Sequence, residues 1–336
     1  MRTRYGPTGR GRAFRPRASA RRPSPTTPRF DLVPPEHLWI PVTLFAAFAQ
    51  TIRNATQKHL TASLGTLGAT LVRFVYGIPF ALLWLWLVRA VGDFELPEPN
   101  AAFMGWILLG AVSQIGGTAF LLQVMHERNF TLGVAYSKTE AVQVAFFGFI
   151  FLADPIGPGA LLAAALATVG VMLMSPMDGK LALRALLTGW TTRVALFGLA
   201  SGTCFAFASV GYRGASLALE GVPFPIAAAY GLVVAQIGQT LMLGGWLLAR
   251  QAGTVMRVLL AWRASLLVGL AGAAASAAWF VAMAIEPIAH VRTLALVELL
   301  FAYVISRRIF RDRLTRGESI GIACLCTGLI VVTLGR

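Results

Sequence analysis

The residue pattern from Phe130 to Ser175 returns from Ile288 to Thr333. Displaced by 158 positions without a gap, Glu140 falls on Glu298, Asp154 on Asp312, Gly159 on Gly317, Ala165 on Ala323 and Gly170 on Gly328. Between these anchors both copies are almost wholly apolar. Each copy sets one carboxylate inside an apolar helix and a second acid in a short turn, then adds another apolar helix. A chain that does this twice is expected to be a duplicated membrane protein.

Hydrophobic residues make up 57% of the chain and charged residues 13%, against about 25% charged in an ordinary soluble domain. Apolar windows of about 20 residues recur after residue 38, each long enough to cross a bilayer as a helix. The fold class is therefore an all-α polytopic membrane protein with ten transmembrane helices. The spans are expected at about 39–58, 67–90, 102–125, 131–152, 158–175, 194–218, 224–249, 264–285, 288–308 and 318–335. Turns between them are short and carry breakers such as Asp154-Pro155, Gly221-Val222-Pro223 and Glu286-Pro287. The longest internal connection, 176–193, separates a first repeat at 38–175 from a second at 194–336. Five spans per half is an odd number, so the halves are expected to lie as inverted repeats.

The net charge of +15 is concentrated at the start, where residues 1–30 hold nine arginines and no acid. The Arg/Pro-rich segment 1–37 cannot bury a core and reads as a disordered basic tail that meets anionic lipid rather than nucleic acid. With the apolar run from Leu38 to Phe48 and Ala47-Phe48-Ala49 it mimics a secretory signal. Continuation through Thr51-Ile52-Arg53-Asn54, and the same design at Leu196 to Leu219, predict a membrane helix instead. The loops after odd-numbered spans carry most of the Lys and Arg, which places the termini outside, whereas the tail argues for the opposite side. Cys204, Cys324 and Cys326 lie in predicted spans without metal-ligand spacing and read as small packing residues.

At the end of each half stand Phe151-Leu152-Ala153-Asp154-Pro155-Ile156 with Gly159 and Gly170, and Phe310-Arg311-Asp312-Arg313-Leu314 with Gly317 and Gly328. Together with Arg73 in Leu71-Val72-Arg73-Phe74, these segments resemble the EamA type of the drug/metabolite transporter (DMT) superfamily over residues 38–336. The resemblance implies two repeats of five helices, cytoplasmic termini, transport of small molecules and, as its commoner direction, efflux. Asp154 and Asp312 replace the family's usual glutamate, and Glu140 and Glu298 have no usual counterpart, so the family's substrates transfer poorly.

Charged groups inside apolar spans are costly and usually face a cavity or one another. Gln50, Arg53, Asn54 and Gln57 form one stripe at helical spacing, and Thr66, Thr70, Arg73 and Tyr76 another. Gln114 and Thr118 follow on the third span. Tyr136, Glu140, Gln143 and Phe147 share a face on the fourth, with Lys138 expected to point elsewhere on that helix. In the second half Arg213 shares a face with Ser209 and Ser216, Gln236 with Gln239 and Thr240, and Glu298 lies on the ninth span. In the functional reading Arg53, Arg73 and Lys138 hold an anionic or zwitterionic substrate, Tyr136 and Gln143 orient it, and Glu140 balances charge, binds an amine or takes a proton. Gln50, Gln114, Arg213, Gln236 and Glu298 complete the substrate-binding set. In the structural reading Glu140 and an arginine only tie helices together, and Arg53 snorkels to a membrane face. Trp279 is expected to pack, Arg292 and His290 to meet headgroups, and Asp154 and Asp312 to cap turns. Gly- and Ala-rich fifth and tenth spans offer packing faces, within the chain or in a homodimer.

No phosphate-binding loop, metal cluster or nucleotide-binding domain is present, so no cofactor and no catalytic site are expected. The functional expectation is a secondary transporter of the inner membrane moving a small polar, amino-acid-like or drug-like metabolite by alternating access. Facilitated exchange, a substrate gradient, or proton coupling through Glu140 or Glu298 would drive it. A membrane enzyme acting on lipid would need a carboxylate or His cluster at one interface, and none is found. A non-transporting membrane partner or sensor predicts fully paired polar stripes with no cavity between them.

Overall fold

The computed structural model describes Met1 and residues 37–126, 136–155, 157–173, 192–301 and 316–334. Apart from Met1, these residues belong to one unit, Val33–Arg336. The basic tail, the connection 176–191 and the Asp312 turn lie outside the described residues. Ten helices are described: α1 Trp39–Val75, α2 Ile78–Gly92, α3 Ala101–His126, α4 Glu140–Leu152, α5 Pro158–Leu173, α6 Arg193–Ala218, α7 Phe224–Leu260, α8 Trp262–Ile285, α9 Ile288–Ala295 and α10 Arg316–Leu334. No strand occurs among the described residues.

Local chemistry sets several of these boundaries. Asn100 accepts the N–H of Phe103 at 2.7 Å and so caps α3, and Thr192 accepts that of Ala195 at 3.3 Å to cap α6. Prolines occupy the first turns of α2 and α7, where the missing N–H costs nothing. The expected loop near residues 58–66 is helical except at Gly65, whose φ of 71° and ψ of 173° divide α1 into two arms. The expected second span is broken again at Tyr76-Gly77, between α1 and α2. Residues 250–263, also read as a loop, are helical apart from a kink at Gln251 and the break at Ala261 between α7 and α8.

Two breaks recur at equivalent places. Before α4 the helix tightens at Lys138 and Thr139, where the Ala141 N–H bonds to the Lys138 carbonyl at 3.3 Å. After α9 it tightens at Leu296, and the Leu299 N–H bonds to the Leu296 carbonyl at 3.1 Å. Both are three-residue hydrogen bonds, the tighter winding that often marks a functional hinge. They stand 158 residues apart, each two positions ahead of a glutamate, Glu140 or Glu298.

Helix packing repeats with the same displacement. α3 lies against α6 and α8 against α1, while α2, α4 and α5 meet their counterparts α7, α9 and α10. The α5–α10 contact is reciprocal. A Cβ on Gly170 would lie 2.5 Å from the Leu325 nitrogen and 2.6 Å from the Gly321 oxygen; one on Gly328 would lie 2.8 Å from the Ala167 nitrogen and 2.7 Å from the Ala163 oxygen. The small-residue faces are thus used inside the chain, bringing the two backbones together.

The outer surface is apolar. Leu82, Leu83, Trp84, Trp86 and Leu87 on α2, and Phe146, Phe149, Ile150 and Phe151 on α4, are exposed, as residues facing lipid are. Among the described residues five helical segments are long and apolar enough to cross a membrane: His59–Gly92, Ala101–Met125, Arg193–Ala218, Phe224–Leu260 and Trp262–Ile285. Three shorter apolar helices accompany them, Glu140–Leu152, Pro158–Leu173 and Ser319–Leu334.

Candidate functional site

Three charged clusters meet where α1, α3, α6, α8 and α9 converge. The first belongs to α1 and its kink. Helical spacing brings Gln50, Arg53 and Asn54 to one side, and the return arm brings Arg73 beside them. The two arginines meet over Gly272 of α8, where a Cβ would lie 3.4 Å from Arg73 Cγ and 3.5 Å from Arg53 Cδ. Arg53 is 4% and Arg73 3% exposed. Arg53 bonds Asn54 Oδ1 through Nη2 at 2.8 Å and Nε at 3.3 Å, and its buried Nη1 has no partner. Arg73 donates to Thr118 Oγ1 at 3.2 Å and to the Gln114 carbonyl at 3.1 Å, with the Gln114 amide oriented by its hydrogen-bond network. Neither guanidinium has a carboxylate within ion-pair distance among the described residues. Gln57, the fourth member of the stripe, instead donates to the Ala69 carbonyl at 2.9 Å and ties the arms of α1 together.

The other two clusters are ion pairs that cross between halves. Lys138 pairs with Glu298. Glu298 also accepts from Gln50 Nε2 at 2.6 Å, and Gln50 in turn accepts from Trp279 Nε1 at 3.1 Å. Arg292 lies 3.2 Å from Glu140 Oε1, donates to Ser209 Oγ at 2.8 Å and stacks 4.9 Å above the Trp279 ring. Glu140 Oε1 is within ion-pair distance of Arg292 but lacks hydrogen-bond geometry. Each glutamate therefore meets a cation distant in the sequence, Lys138 for Glu298 and Arg292 for Glu140.

These groups surround a cavity of about 40 Å³, room for on the order of three waters. Gln50, Arg53, Arg73, Gln114, Lys138 and Glu140 line it, six of the residues picked out by stripe and charge. Lys138, expected in the site but on another face than Glu140, lines the same cavity as Glu140 and stands at the helix break formed with Thr139. Tyr212 also reaches the cavity. Its oxygen accepts from Gln239 Nε2 at 2.8 Å and Gln114 Nε2 at 3.0 Å, which leaves the hydroxyl hydrogen as a donor. Phe205, Phe280 and Leu121 supply an apolar wall.

Five expected residues lie outside the lining. Glu298 acts from behind Lys138 and Gln50. Tyr136 is buried in a small cluster with Ala195. Gln143 donates to Thr139 Oγ1 at 2.8 Å and accepts from Thr203 Oγ1 at 2.7 Å, joining α4 to α6. Gln236 is buried against Gly77, with its carbonyl unpartnered. Arg213 bonds Asp154 at 2.7 Å and the carbonyls of Met283 and Glu286 at 2.7 and 2.8 Å. Asp154 also accepts the Ile288 N–H at 3.3 Å, so it joins helices as well as ending a turn. Arg292, expected to meet headgroups, and Trp279, expected only to pack, both line the cavity, as does Tyr212, which the sequence did not single out. Arg292 was legible as the opposite charge on the span of Glu298; Tyr212 carried no signal, because its neighbours Gln114 and Gln239 come from other helices.

Residues 37–175 match the profile described as the EamA-like transporter family. No curated protein matches the chain in sequence. A solved structure, described only as the crystal structure of a protein, superposes with a TM-score of 0.60 at 14% identity, over 88% of this chain and 96% of that one. At that identity the likeness concerns the fold alone. Residues 37–175 are thus similar to an EamA-like transporter domain, and they lie in a multi-pass membrane chain.

Proposed function

We propose that the chain is a ten-span secondary transporter that moves a small polar metabolite bearing an anionic group by alternating access of two inverted five-helix halves. In this reading residues 38–175 and 194–336 are the halves, 176–193 connects them and 1–37 is a basic tail. The reciprocal Gly170 and Gly328 contacts and the paired helix breaks support the two-fold arrangement. The observation that carries the substrate reading is the pair of buried guanidiniums, Arg53 and Arg73, facing a common cavity without a carboxylate partner. A buried charge without a partner is expensive, and a bound anion removes that cost. A structural tie between helices would leave no such surplus.

The two cross-half ion pairs give alternating access something to break and remake. Arg213 with Asp154 acts as a seal rather than a ligand, because Met283, whose carbonyl Arg213 holds, also lines the cavity. Glu140 balances Arg292 and is the residue for proton coupling, should the cycle use one. Inner-membrane placement, efflux and an amino-acid-like or drug-like substrate complete the reading. Metabolite profiling of cells with and without the protein tests it. A reproducible shift of an anionic metabolite between cells and medium is expected; identical profiles would overturn it.

A further inference from the structure

We infer that the ligand of this cavity enters as a dianion, either a small dicarboxylate or a phosphate ester. The inference deepens the transporter reading and rests on the same cavity. Four cations stand at or immediately around it: Arg53, Arg73, Lys138 and Arg292. Among the described residues two carboxylates answer them, Glu140 to Arg292 and Glu298 to Lys138. Two positive charges are left over, both guanidiniums and both more than nine-tenths buried. Water-excluded charges of one sign repel and are poorly solvated, so the closed cavity is satisfied by a ligand that brings two negative charges. A zwitterion would bring none.

Donor geometry leads to the same class. Arg53 Nη1 is buried without a partner, Arg73 has only neutral acceptors, and the Tyr212 hydroxyl hydrogen has no acceptor among the described residues. The free hydrogen-bonding capacity is thus mainly donor, which suits a ligand rich in acceptor oxygens. Forked guanidiniums bind carboxylate and phosphate oxygens in pairs. Gly272 gives both arginines room to lie side by side, so one compact anion can meet both.

The test is thermal unfolding of the purified full-length protein in detergent at about pH 8, where phosphate is mainly dianionic. Succinate and inorganic phosphate are titrated at constant ionic strength against chloride, with acetate and alanine as comparators. A saturable rise in the midpoint with succinate, phosphate or both is expected, at half-saturation at least tenfold below acetate. Succinate alone assigns a dicarboxylate and phosphate alone a phosphate ester. Arg53→Gln and Arg73→Gln should each raise half-saturation about tenfold, the loss of one charge-assisted contact. Tyr212→Phe serves if either unfolds, and should weaken the same ligand. No rise above chloride, equal stabilisation by acetate or alanine, or unchanged half-saturation in every folded variant overturns the inference. A metabolite shift in cells alongside such a failure leaves the transporter reading standing. Dianion binding without any shift removes the transporter reading instead.

Discussion

Glu298 and Glu140 stand 158 residues apart in matching sequence contexts but in different situations. Glu298 is held by Lys138 and Gln50, whereas Glu140 has one cation and imperfect hydrogen bonding. Glu298→Gln leaves the Lys138 ammonium buried without its carboxylate, and a loss of about 3–5 kcal/mol is expected in unfolding experiments. Lys138→Met combined with Glu298→Leu should recover most of that loss, since no unpaired charge remains. A double variant as unstable as Glu298→Gln would show that the pair stabilises beyond charge balance. Glu140→Gln, by contrast, should reduce transport while leaving the unfolding midpoint near normal. Loss of the folded protein would make Glu140 a structural tie. The two acids were legible as a pair in the sequence. Their different partners were not, because Lys138 and Arg292 do not occupy equivalent positions.

Glycines determine how the helices bend and approach. Gly65 has a backbone conformation open almost only to glycine, yet a Cβ there would touch nothing. Gly65→Ala should therefore cost about 1–3 kcal/mol through strain alone, read by thermal unfolding. At Gly170 and Gly328 the cost has another origin, since any side chain meets the facing backbone. Gly170→Leu and Gly328→Leu should destabilise to similar extents, because their surroundings are related by the repeat. The two together should fall short of the sum, since they open one shared interface. Full additivity would mean that the two contacts are independent. The ends of α3, α6 and α8 were readable to within a residue or two. The helix breaks at Lys138 and Leu296 were not, because nothing in an apolar run separates three-residue from four-residue hydrogen bonding.

For the whole molecule, the Arg213–Asp154 pair should govern access to the cavity if it acts as the proposed seal. In a background free of Cys204, Cys324 and Cys326, S276C places a thiol in the cavity wall. Asp154→Asn should speed its labelling by a membrane-impermeant thiol reagent several-fold, because Arg213 loses its carboxylate and the link to Ile288 weakens. Labelling at the original rate would remove the seal from the access pathway. Arg213 was legible as a buried charge in an apolar helix, but its role was not. Its partners come from the turn after α4 and from the carbonyls at the end of α8, which no spacing on its own helix could reveal.

The membrane setting and most of the helices were legible in the sequence by itself, since these follow from apolar run length and breakers. The sequence also identified the stripe from Gln50 to Asn54, because helical periodicity puts those residues on one face whatever surrounds them. Only the tertiary structure decided which charges are matched. Arg292 finds Glu140, Lys138 finds Glu298, and Arg53 and Arg73 find no carboxylate among the described residues. The physical reason is that charge balance in a low-dielectric cavity depends on distances of a few ångströms between helices, and those distances are set by packing rather than by position along the chain.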